Sequence, residues 1–143
     1  MKDKIIAIDF DRTISASPFP DVGKEVPHAF HWLKKFQEHE AKLILWTCRS
    51  DNDEDGPALS DAIRFCRKNG VEFWGVNQNP DWPQRTVCGA FRPKLYCHLF
   101  IDDRNLGCPV TNIGTEDRKR WVADWQKIGP MVMELMSRKD YDQ

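Results

Sequence analysis

The chain has 143 residues, 41% of them hydrophobic and 30% charged, which suits one globular domain able to bury about two-thirds of its unfolded surface. A formal net charge of -1 argues against a general polyanion binder, which needs a clear basic excess. No stretch approaches the ~20 apolar residues of a membrane span, and the apolar run near the N-terminus is too short for a signal segment.

Lys4 to Asp9 is apolar on both faces, the pattern of a central parallel strand. After a loop rich in Ser and Pro, the positions Val26, Phe30, Leu33 and Phe36 keep helical spacing up to His39. KLILWT, residues 42–47, predicts a second strand. Leu59, Ala62, Ile63 and Cys66 mark a second amphipathic helix, and Gly70 is placed to end it. VEFWGV, residues 71–76, reads as a third strand, and a long irregular stretch follows from Asn77 to Pro93. YCHLFID, residues 96–102, is the fourth strand. Thr115 is placed to cap a last helix, with Glu116 and Asp117 at its positive end. That helix carries Trp121, Val122 and Trp125, is interrupted at Gly129-Pro130, and resumes through Met133, Leu135 and Met136. Strands alternating with helices predict an α/β sandwich with a mostly parallel sheet, as a single domain over residues 1–143.

Five cysteines (48, 66, 88, 97 and 108) contain no C-x-x-C pair, and four histidines show no ligand spacing. They read as reduced thiols in a cytoplasmic protein without zinc. Trp32, Trp46, Trp74, Trp121 and Trp125 read as core or helix–sheet contacts. Trp82, between two prolines, is the better candidate for a ligand surface.

In such a sheet, ligands bind beyond the carboxyl ends of the strands, where the topology changes direction. The first predicted strand ends in Asp9, Asp11 and Thr13, the second in Thr47 and Arg49, and the fourth in Asp102 and Asp103, with Lys94 just before it. Asp9 and Asp11 share a face while the backbone stays extended. Like charges about 4 Å apart repel by about 4 kcal/mol at an effective dielectric of ~20. Either the pKa values rise or a cation neutralises the group. The donors are hard oxygens, so Mg²⁺ is the natural ion.

The ordered set D-x-D-x-T, T-x-R, K and D-D, spread over residues 4 to 106, resembles the haloacid dehalogenase superfamily of phosphatases. The resemblance implies a three-layer Rossmann-like fold and phosphate hydrolysis through an aspartyl-phosphate. Asp9 would be the nucleophile. Asp11 would be the acid and then the base, lying outside the metal's carboxylate shell but offering its backbone carbonyl to the ion. Thr47 would bind the transferring phosphoryl group, and Lys94 would offset charge on it. Asp9 and Asp102 would be the acidic Mg²⁺ ligands, with Asp103 a ligand or a partner behind one. Backbone N–H groups of Phe10 and Cys48 complete a phosphate cradle; the Cys48 thiol reads as packing. Arg49 is open between a surface ion pair and a substrate contact.

The resemblance usually has glycine before the threonine, where this chain has Arg12. An arginine fits that turn where φ stays negative, or it reaches toward an anionic substrate. The intervals after the first and third strands are too short for the cap domain that such proteins usually carry. The expected site is therefore open, covered by a bulky substrate or by a neighbouring copy in a homo-oligomer. Arg85, Phe91 and Arg92 are placed to contact a phosphorylated small molecule or the phosphorylated end of a macromolecule. A phosphotransferase and a catalytically silent phosphate-binding module are the alternatives.

Overall fold

In the computed structural model, which describes residues 1–81 and 89–141, four strands form a parallel sheet. They are β1 (Ile5–Ile8), β2 (Lys42–Leu45), β5 (Gly75–Val76) and β6 (Leu99–Ile101), in the order β5-β2-β1-β6. Every residue of β1 is buried, as expected of a strand with a neighbour on each side and cover on both faces. Ile8 lies opposite both Leu45 and Ile101. The remaining strands pair in two antiparallel hairpins, β3 (Asp51–Asn52) with β4 (Gly56–Pro57) and β7 (Val110–Asn112) with β8 (Trp121–Ala123).

Three helices, α1 (Ala29–Glu38), α2 (Ala58–Lys68) and α3 (Trp125–Ser137), are followed by a short 3-10 turn at Lys139–Tyr141. Ile6, Ile8, Leu43 and Leu45 meet Leu33 and Phe36 of α1, Ala62 and Cys66 of α2, and Val132 and Met136 of α3. Ile5, Ala7 and Ile44 point the other way, to Leu95 with Trp46, Trp74 and Phe100. The period of two along each strand thus builds a Rossmann-like sandwich around the sheet. No helix among the described residues is long and apolar enough to cross a membrane.

The chain departs from the predicted elements in its last third. The helix expected from Thr115 does not form. Residues 110–123 make the β7–β8 hairpin instead, and α3 begins only at Trp125. The expected break at Gly129-Pro130 is also absent, since α3 runs through Pro130. Trp121, expected in the core, is half exposed, whereas Trp125 is buried. The third strand shrinks to Gly75–Val76. Trp82, Arg85 and Cys88 lie outside the described residues.

Candidate active site

β1 and β6 are neighbours in the sheet but far apart in sequence. The chain moves outward through β2 and β5, then returns to the opposite side of β1. That reversal is where a parallel sheet opens a crevice at its carboxyl edge. The Asp9 N–H donates to the Ile101 carbonyl at 2.9 Å, carrying the ladder one residue past β1 and setting Asp9 beside Asp102. One carboxylate oxygen from each of Asp9, Asp102 and Asp103 lies within 4.8 Å of the others. These three line a cleft of about 450 Å³ together with Asp11, Thr47 and Cys48.

Beyond Asp9 the backbone wraps around one acceptor. The Phe10 carbonyl receives the N–H groups of Thr13, Ile14 and Ser15 at 3.2, 2.8 and 2.9 Å, while the Phe10 ring is fully buried. Closing this loop requires Arg12 at φ 64, so the expectation of a negative φ is corrected. The position needs the left-handed region, which glycine enters at least cost. The buried Thr13 hydroxyl donates to Asp9 Oδ2 at 2.9 Å and accepts from the Asp103 N–H at 3.2 Å. It therefore ties β1 to the turn after β6. The C-terminal segment holds the loop from behind: the Ala123 N–H donates to the Arg12 carbonyl at 2.8 Å, and Trp125 Nε1–H to the Thr13 carbonyl at 2.7 Å.

Electrostatics follow from this crowding. Burial, then the Asp102 charge, pushes Asp9 from the ordinary 3.8 up to about 7, against the hydrogen bond from Thr13. Asp103 is raised by the same two causes, opposed by its hydrogen bond with Asp9 and by the charges of Arg104 and Arg12. Three carboxylate donors gathered this closely, with Asp9 and Asp103 resisting ionisation, fit a hard divalent cation, which removes that repulsion on binding.

Asp11 does not share this cluster. Both of its oxygens accept hydrogen bonds from Arg49, at 3.0 Å from Nε and 2.8 Å from Nη2. The same guanidinium donates to the carbonyls of Pro20, Ala58 and Asp21 at 2.7, 3.2 and 2.9 Å. It lies between the rings of Phe10 and Phe19, 4.6 and 5.2 Å from their centroids. All five of its N–H groups are spent within the chain and only 1% of the side chain is exposed. Neither expectation for Arg49 fits that geometry. It is a buried clamp on Asp11 and on the Pro18–Asp21 loop, with no donor left for a substrate.

Thr47 closes its own turn by accepting the Arg49 N–H at 3.1 Å, while the Thr47 N–H is held by Asn77 Oδ1 at 2.8 Å. Cys48 is exposed in the cleft, so the packing role expected for its thiol is corrected. Lys94 is exposed and lines a separate small hollow beside Asn77. The structure does not bring it into the cleft with the acids. The other cysteines among the described residues are also free, and burial pushes the Cys66 thiol up to about 12 and that of Cys97 to about 11.

No protein-family model and no curated protein matches the chain. A solved structure does: that of a conserved protein coded by a locus from Bacteroides thetaiotaomicron, 36% identical over 93% of this chain and 92% of that one, with a TM-score of 0.68. The two chains belong to one family. Coverage of 93% takes the family likeness well past the motifs of residues 4 to 106 and into the C-terminal segment. That segment supplies what the sequence reading missed. Arg120, just before β8, lines the cleft, as do Arg104, Ser17 and Phe19. Arg104 directly follows the D-D pair, which was the one available signal. Arg120 carried no signal while residues 115–125 read as a helix.

Proposed function

We propose that the protein is a Mg²⁺-dependent phosphomonoesterase that works through an aspartyl-phosphate, as the haloacid dehalogenase resemblance implies. The observation that carries this reading is the meeting of Asp9, Asp102 and Asp103 within 4.8 Å at the reversal of the sheet. Beside them stands a fourth carboxylate, Asp11, held apart by its own cation. Magnesium, bound by the oxygens of Asp9, Asp102 and Asp103, would supply charge neutralisation and polarise a phosphoryl oxygen.

A carboxylate oxygen of Asp9 attacks phosphorus, and the bond from phosphorus to the ester oxygen breaks. Asp11 gives its proton to that leaving oxygen. In the second step Asp11 takes a proton from water, whose oxygen attacks phosphorus, and the bond to Asp9 breaks to release inorganic phosphate. Asp9 and Asp11 divide the work because their surroundings differ. Thr13 fixes Asp9 toward the acids across the crevice, whereas Arg49 turns Asp11 away from them. The Thr47 hydroxyl proton and the Cys48 N–H would receive the phosphoryl oxygens, the Thr47 N–H being held by Asn77.

Phosphate release from 4-nitrophenyl phosphate, with and without magnesium, tests the reading. The expected result is magnesium-dependent turnover that disappears in Asp9→Asn while the variant still melts cooperatively. Turnover that survives in a folded Asp9→Asn protein overturns the nucleophile, and absence of magnesium-dependent release from the natural chain overturns the proposal.

A further inference from the structure

Beside its four carboxylates the cleft holds three guanidinium groups. Arg12, Arg104 and Arg120 all line it, and they arrive from three segments: the turn after β1, the turn after β6 and the approach to β8. Elsewhere, Arg49, Arg64, Arg67 and Arg138 are each ion-paired with a carboxylate. Arg12, Arg104 and Arg120 make no salt bridge or side-chain hydrogen bond among the described residues. Arg12 and Arg104 act on the Asp103 carboxyl only as charges.

Arg120 is the strongest of the three. Its Nε is buried and has no hydrogen-bond partner, although buried N–H groups nearly always find one. Arg12 sits at φ 64, where glycine would be easiest, so this side chain stands at the mouth of the cleft against the local preference of the backbone. The cleft, at about 450 Å³, falls in the range that encloses a small organic ligand rather than an oxyanion alone. Phe19, 51% exposed, and Pro18 give the same cleft an apolar wall for the body of that ligand.

We infer that the cleft takes a phosphomonoester bearing a second anionic group, a phosphate or a carboxylate, and that Arg12, Arg104 and Arg120 receive that group. This rests on the reading of Asp9 as the phosphoryl-accepting residue and adds the chemical class of its substrate. Guanidinium groups suit the task because their fixed forks bind such anions in pairs of parallel hydrogen bonds.

The test uses two primary alkyl esters with the same three-carbon chain, propyl phosphate and propane-1,3-diyl bisphosphate, titrated calorimetrically into Asp9→Asn protein with magnesium present. The bisphosphate is expected to bind at least tenfold more tightly, well above the twofold that its two equivalent ends supply by statistics. Arg104→Gln, an exposed and structurally mild change, and Arg120→Gln should each cut that preference severalfold, and the pair should bring it close to the statistical value. Equal binding of the two compounds, or a preference unmoved in both variants, overturns the inference. So does an equal loss for both compounds, which would assign the arginines to the transferring phosphoryl group itself. Failure of the parent reading looks different: the natural chain then releases no phosphate from either compound, whatever their binding ratio.

Discussion

Replacing Asp9 by asparagine should abolish turnover and, in metal-free buffer, make the protein more stable. The proposed nucleophile stands where burial and the Asp102 charge resist its ionisation, moving it from 3.8 to about 7. At about 1.36 kcal/mol per pKa unit, that shift corresponds to about 4 kcal/mol at its limit. The sign follows from which form each state prefers. Below the unfolded value Asp9 is protonated in both states and has no effect. As pH rises toward 7, the unfolded chain ionises freely while the folded chain resists, so stability is lost across this window and stays lost above it. Asparagine never ionises, and its side-chain oxygen can still accept the Thr13 hydroxyl that now bonds Asp9 Oδ2. With relaxation of the neighbours, a gain of about 2–4 kcal/mol remains at pH 8, a rise of roughly 6–15 °C in Tm for a chain of this size.

Thermal melts of both proteins from pH 4 to 8, in chelator and then in excess magnesium, read this directly. In chelator the curves should meet near pH 4 and separate steadily, with the variant above. Magnesium should lift the natural chain more than the variant and narrow the gap, because the ion binds the ionised carboxylates and stabilises only the state that gathers them. Parallel pH profiles in chelator, or a variant less stable than the natural chain at pH 8, would refute the crowding on which the proposed ion site depends.

Other perturbations probe the frame of the site. Arg49→Met strands the Asp11 carboxylate and three carbonyls; loss of one partner of a buried pair predicts a fall of about 3–5 kcal/mol in denaturant unfolding. Arg12→Gly relieves a left-handed residue at φ 64 and should add about 1 kcal/mol of stability in the same assay. Trp125→Phe leaves the Thr13 carbonyl without its buried donor. It should cost about 1–3 kcal/mol and lower kcat through the loosened Thr13–Asp9 contact, with the ring packing largely kept.

The acidic half of the site was legible because its determinants are local. An apolar run long enough for one strand delivers whatever follows it to the sheet edge, so Asp9 and Asp102 could be placed without knowing any contact. Arg49 could not be read that way. Its role depends on three carbonyls, at Pro20, Asp21 and Ala58, whose positions no periodicity encodes. Arg12 misled for a related reason: the φ it adopts is imposed by three N–H groups gathering on the Phe10 carbonyl, a closure invisible in residue type.

The C-terminal errors show two physical meanings of one signal. Thr115 does accept an N–H three residues on, from Arg118 at 3.1 Å, as a helix cap would. Here, however, the Thr115 N–H also donates to the Arg118 carbonyl, and Asn112 Oδ1 takes the N–H groups of both Gly114 and Arg120. These bonds close a hairpin turn, and the backbone at Gly114 leaves no room for a Cβ. Gly129-Pro130 read as a helix break, yet a Cβ at Gly129 would enter the Trp32 indole. That glycine is a point of close approach between α3 and α1. Pro130 lies in the second turn of α3 and has no N–H for the Gln126 carbonyl, yet the helix continues through it to Ser137. The two misread features have a joint consequence for function. The hairpin brings Arg120 to the cleft and sets Ala123 and Trp125 against the carbonyls of Arg12 and Thr13, so the part of the chain with no chemical motif of its own both braces the acids and supplies the arginine with an unmet buried donor.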